Sequence, residues 1–192
     1  MSDIIYPSNI APFIPSKDIL AEVKVSEILP IVDPSGMVIG RSARNYCHSG
    51  VKVLHPVVHL HVYNRLGGLY LQKRAETKKL LPGCWDTAVG GHITYGESVL
   101  EALCRESSEE IGLVDFNPVF LKSYIWESDT ERELVFVFAA IGDFHPVPNQ
   151  DELSEGRFWD ADEINSQMST GLFTPNFEYE YPRIIRQLEA LL

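Results

Sequence analysis

One segment constrains this chain more than any other. From Gly91 it runs through five residues to Glu97 and seven more to Arg105-Glu106-Ser107-Ser108-Glu109-Glu110-Ile111-Gly112-Leu113. Glu106, Glu109 and Glu110 stand at i, i+3 and i+4, which on a helix puts all three carboxylates on one side. Gly112 supplies a C-terminal stop, so the spacing predicts a helix over Glu97–Ile111, entered from a glycine-bearing turn. Carboxylates placed this way repel one another, and a divalent cation relieves the repulsion best. Hard oxygen donors suit Mg²⁺ or Mn²⁺, which commonly hold a substrate diphosphate at the same time. The other face collects Leu100, Leu103, Cys104, Ser107 and Ile111 and is expected to pack on the core. Ser107 sets a hydroxyl in that stripe, where it is expected to bond back to a preceding carbonyl.

A chain of 192 residues, 45% hydrophobic and 22% charged, fits one domain with terminal extensions. Residues 1–26, with Pro7, Pro12 and Pro15, are expected to form an extended N-terminal arm, and 27–192 the domain. No apolar run is long enough to span a bilayer and the first residues do not read as a signal peptide, so the expected location is cytoplasmic, without a membrane partner. Cys47, Cys84 and Cys104 lack metal-ligand spacing and read as reduced thiols. The net charge of -11 argues against nucleic acid as a partner. Residues 41–79 nevertheless carry a local excess of seven positive charges just ahead of the acidic segment. A cationic wall facing a metal-loaded acidic one suits a small polyphosphate.

Strands are expected over Glu27–Asp33, over Val57–Tyr63 and Leu69–Gln72 as a hairpin about Asn64–Gly68, at Thr87–Val89, over Val119–Trp126 and Leu134–Ile141, and at Arg157–Trp159. Short helices are expected over Asp162–Met168 and Tyr181–Leu192. Such a succession points to an α/β fold. His59 and His61 alternate on a strand, on the side opposite Val58 and Leu60, and have no assigned partner; neither has His145. Trp85, Trp126 and Trp159 read as core residues.

The segment from Gly91 to Leu113 resembles the Nudix box, matching it at every fixed position except Ser107. The resemblance implies a Nudix-type α/β/α sandwich with a mixed sheet, and a metal-dependent hydrolase acting on a nucleoside diphosphate linked to another moiety, or on a related diphosphate. It implies that Glu106, Glu109, Glu110 and the Gly91 carbonyl hold the cation, and that Glu97 and Arg105 support the acidic cluster. From about Ile31 to Pro175 the chain is further similar to type I isopentenyl-diphosphate isomerases and related hydrolases. That similarity rests on Val32-Asp33, His48, His55, Arg74, Lys78-Lys79, Pro82-Gly83-x-Trp85, Gly91-His92 and Glu131-x-Glu133. It implies a second divalent metal at His48, His55, His92, Glu131 and Glu133, with Arg44, Arg74 and Lys78 gripping the diphosphate. Imidazoles with carboxylates suit zinc or a transition metal. The other reading of these five is a polar cluster bonded internally.

The isomerases carry a catalytic cysteine where this chain has Gly90, and an aromatic residue where it has Asn176. Protonation and deprotonation of an allylic carbon cannot proceed through a glycine, so hydrolysis is favoured over isomerisation. A non-catalytic ligand-sensing module is the remaining alternative, although such modules commonly lose box carboxylates that this chain keeps. The oligomeric state is left open, a homodimer included.

Overall fold

The computed structural model describes residues 3–5 and 27–192. In chain order they form β1 (Ile28–Val32), β2 (Val38–Ala43), α1 (Arg44–Cys47), β3 (Leu54–Tyr63), β4 (Leu69–Arg74), β5 (Trp85–Thr87), β6 (Val89–His92), α2 (Val99–Ile111), β7 (Val119–Glu127), β8 (Arg132–Ile141), β9 (Leu153–Trp159), α3 (Ala161–Gln167) and α4 (Pro175–Glu189). β1 and β2 pair with each other. The other seven strands form a mixed sheet with the order β5-β4-β3-β8-β7, to which β6 adds on β3 and β9 on β4. This is the expected α/β fold. Apart from residues 3–5, the expected arm lies outside the described residues. No helix among them is long and apolar enough to cross a membrane.

Two compact units are distinguished. The first holds the described residues up to Val58 with Gly91–Ala102 and Ser123–Phe136; the second holds His59–Gly90, Leu103–Lys122 and Val137–Leu192.

In the first unit, β1 and β2 are antiparallel, with a register shift between Ile31 and Val32. The turn between them is organised by the Asp33 carboxylate, which accepts from the Ser35 amide and hydroxyl and from the Met37 amide. Gly36 takes φ +86° there, a conformation that favours glycine. Ile5 bridges Met37, and the Asp3 carboxylate accepts from the Val99 amide, so anionic charge sits at the start of α2. Ser98 and Glu101 bond reciprocally as a capping box, which explains why this helix starts at Val99 and not at Glu97.

In the second unit, β4 pairs antiparallel with β3, β5 and β9. The hairpin loop closes through Asn64, whose side-chain oxygen accepts from the Leu66 and Gly68 amides. Ser107 donates its hydroxyl to the Leu103 carbonyl at 2.7 Å, fully buried, as expected for a serine in an apolar stripe. Leu103, Ser107 and Ile111 are buried, whereas Cys104 is exposed. In the first unit's part of α2, Leu100 is likewise exposed while Val99 and Ala102 are buried. The packed face is therefore rotated from the expected one toward Val99, Ala102 and Glu110.

α4 begins at Pro175, well before the expected Tyr181. Thr174 caps it by accepting from the Phe177 amide, Pro175 needs no amide partner in the first turn, and Pro182 is tolerated inside the helix. Trp85 and Trp159 are core residues stacked edge to face at 4.9 Å, as expected. The three cysteines form no disulfide.

Candidate active site

The box residues of the second unit occupy three different environments. Glu109 is exposed, Glu106 is half-buried, and Glu110 is buried. Arg105 donates through Nη1 to Glu106 at 2.7 Å and to Glu109 at 3.2 Å, so one guanidinium holds both carboxylates in place. One oxygen of Glu110 accepts from the Gly90 amide at 3.1 Å and from the Gln72 side chain at 3.2 Å. Burial first, then the nearby Glu106 carboxylate, push the Glu110 carboxyl up to about 8, against the opposing pull of the Gly90 amide. A neighbouring cation is the natural way to keep such a group ionised at neutral pH. Gln72 was not singled out by sequence reasoning. In β4 it ends the apolar run Leu69–Leu71 and is followed by Lys73 and Arg74, so nothing in the sequence sets it apart from a polar strand end.

Arg74 donates to the Leu80 carbonyl and lies 3.8 Å from Asp86, while Lys78 lies 3.3 Å from Glu152. Both cations sit on the loop after β4 or at its start, and each is partly compensated by a local acid.

In the first unit, Glu97 accepts from the Thr94 amide, so it closes the loop ahead of α2. Arg44, largely exposed, lies 3.4 Å from Glu27. His48, His55, His92, Glu131 and Glu133 come together from five places in the sequence. The donor atoms of His48, His55 and His92 lie within 4.8 Å of one another, as do those of His55, Glu131 and Glu133. The box carboxylates form no such three-ligand group among the described residues. His48 Nε2 faces His92 Nε2 at 2.9 Å, and His48 Nδ1 lies 2.5 Å from Glu131.

His55 gives the clearest test of whether this cluster fits a metal. Its Nδ1 donates to the Val53 carbonyl at 3.0 Å, which leaves Nε2 as the acceptor nitrogen. That Nε2 is fully buried without a hydrogen-bond partner. Burial chiefly holds the imidazole below its ordinary protonation range, in the neutral form that ligates a cation. Three imidazoles and two carboxylates around a buried, unbonded nitrogen make a donor set that fits a divalent metal.

His59 and His61, expected on one side of a strand without partners, both bond Glu180 of α4 in the second unit. His59 Nδ1 lies 3.1 Å from Glu180 and His61 Nε2 2.6 Å. All ten residues of β3 are buried, so both sides of the strand are covered, and the two histidines share the side that meets Glu180. The period of two between the histidines was legible. Their carboxylate, in a helix expected to start after it, was not.

Residues 53–177 match the NUDIX domain. The chain belongs to the Nudix family. It is 35% identical over 139 residues to an uncharacterized Nudix hydrolase of Nostoc sp., covering 69% of this chain and 79% of that protein. It is 32% identical over 139 residues to an isopentenyl-diphosphate Delta-isomerase of Saccharopolyspora erythraea, covering 69% of this chain and 71% of the relative. Among solved structures, DR0079 from Deinococcus radiodurans superimposes with a TM-score of 0.70 at 22% identity, over 84% of this chain and 98% of the other. At that identity the likeness shows the Nudix fold.

Proposed function

We propose that this Nudix enzyme hydrolyses a diphosphate linkage in a nucleoside diphosphate joined to another group, or in a related small diphosphate, with Mg²⁺ or Mn²⁺. The observation that carries the reading is the complete set of box carboxylates, with Glu110 buried against the Gly90 amide and Arg105 holding Glu106 and Glu109. Glu106, Glu109, Glu110 and the Gly91 carbonyl are the groups that would hold the box cation. Such a cation polarises phosphoryl oxygens and lowers the pKa of the attacking water. Arg105 holds the Glu106 and Glu109 carboxylates together, Glu97 closes the loop ahead of α2, and Arg44, Arg74 and Lys78 supply positive charge for the phosphates. His48, His55, His92, Glu131 and Glu133 would hold a second divalent ion, tying Gly91 through its neighbour His92 to the segment around His48.

Isomerisation is the weaker reading, although some relatives bear that name. It needs a proton-transferring side chain at position 90, and Gly90 has none. We read 27–192 as one Nudix domain of a cytoplasmic protein that takes a small-molecule partner in preference to nucleic acid.

A screen for phosphate release across diphosphates with Mg²⁺ and Mn²⁺ tests the reading. Glu106→Gln and Glu110→Gln should each lower the rate by about two orders of magnitude or more, with the fold intact by circular dichroism. Full activity in both variants would refute the mechanism.

A further inference from the structure

The Glu180 cluster is not used by the chemistry described so far. Glu180 is a carboxylate at 1% exposure, and it accepts from two imidazoles of the same strand. An ionised carboxylate taken out of water is costly, and apolar side chains could dock α4 on β3 without that cost. His61 is fully buried, whereas His59 keeps 8% exposure. The outer edge of His59 lies at Gly90: a Cβ there would stand 3.7 Å from His59 Cδ2 and 3.8 Å from its Nε2. Gly90 is exposed, and its amide donates to Glu110. An imidazole fixed on its inner nitrogen thus turns its outer nitrogen to the open backbone beside a box carboxylate.

We propose that His59 contacts the substrate, hydrogen-bonding a phosphate oxygen of the diphosphate bound beside Glu110, and that Glu180 is the positioning residue that sets its ring. The inference rests on the hydrolytic reading above. Because an ionised carboxylate only accepts, Nδ1 of His59 carries its proton toward Glu180, which fixes the ring plane and directs Nε2 outward. Burial works to raise the Glu180 carboxyl, but the two imidazoles outweigh it and hold the group well below the usual carboxylate range. Its charge compensates an imidazolium at His59, so that Nε2 donates a charge-assisted bond to an anionic oxygen. His61, on the opposite oxygen and sealed from solvent, anchors the carboxylate.

The test uses the full chain and two independent readouts. In long-range ¹H–¹⁵N spectra of the imidazoles, methylenediphosphonate with Mg²⁺ should shift the His59 Nε2 resonance and leave those of His61 in place. In kinetics on a diphosphate found by the screen, His59→Leu should lower kcat/KM roughly tenfold or more, with His59→Gln, which keeps a donor, in between. A folded His59→Leu variant with kcat/KM within about twofold of the parent overturns the proposal, because loss of a charge-assisted bond costs more. So does a His59 ring unmoved by the probe, whatever the kinetics. If His59→Leu does not fold, the ring shift alone decides. If the parent chain releases phosphate from no diphosphate, the hydrolytic reading fails, and the ring shift with the probe still decides the role of His59.

Discussion

Two clusters of histidine and glutamate occupy this molecule, and they differ in how donors and acceptors balance. In the first unit, His48 pairs with Glu131 through Nδ1 and with His92 through Nε2, and His55 Nε2, beside them, is buried and without a hydrogen-bond partner. In the second, the protons of His59 and His61 are directed at the oxygens of Glu180. The same residue types therefore leave an unpartnered acceptor in one cluster, at His55 Nε2, and meet at a shared carboxylate in the other. A cluster with an excess of acceptors is completed by a cation, and one whose protons match its acceptors is complete without one. Residue identity alone does not distinguish them; the count of protons between facing atoms does.

The sharpest way to break the comparison is to remove the acceptor of the self-sufficient cluster. Glu180→Ala should lower the unfolding free energy by about 3 kcal/mol, because two buried imidazoles lose their partner, and the loss should be the same with and without divalent cation. Urea titrations of the parent and the variant, in EDTA and in Mn²⁺, measure it. A loss that appears only in the presence of cation would place Glu180 among metal-dependent groups.

The cluster that holds the unpartnered His55 Nε2 should respond in the other sense. At free Zn²⁺ or Mn²⁺ about a hundredfold above the dissociation constant, the parent should gain about 2.7 kcal/mol, and the His48→Ala/His55→Ala variant should gain nothing from that site. Elemental analysis of the dialysed proteins checks the same point, and equal metal content in both would remove the second site.

Glu110 lies between the two cases: it accepts two hydrogen bonds yet stays raised to about 8 from an ordinary 4.5. A carboxyl raised in the folded state costs stability as pH climbs through that window. Without cation, the parent should therefore lose stability between about pH 4.5 and pH 8 and level off outside it. Glu110→Gln should remove that slope, a gain of about 2 kcal/mol near pH 6. Parallel pH profiles for parent and variant in EDTA would show that the site does not strain this group.

The smallest effect is expected at Ser107, whose hydroxyl is satisfied within its own helix. Ser107→Ala should change stability by less than about 1 kcal/mol, since only the donor of a local bond is lost and the Leu103 carbonyl that accepted it belongs to the helix ladder. A loss well above that in thermal melts would mean that the hydroxyl has a role beyond packing.

Several of these features were legible in the sequence because they are local. The spacing of Glu106, Glu109 and Glu110, the stop at Gly112, the back-bonded Ser107 and the Asn64–Gly68 turn each follow from a few consecutive residues, where covalent geometry fixes which groups can meet. The co-location of His48, His55, His92, Glu131 and Glu133 was implied only by resemblance, since no local rule brings those segments together. Which box carboxylate is buried, and that Gln72 and the Gly90 amide hold it, depended on the packing of β4 and β6 about α2 and not on helical period. The start of α4 was obscured by Pro182, which reads as a break when taken alone but is accommodated in a helix capped by Thr174 and opened by Pro175. The pairing of His59 with Glu180 spans 121 residues of chain. At that separation only long-range packing brings a donor to its acceptor, so the sequence determined which groups were available and the tertiary structure decided which of them were satisfied and which were left to bind something else.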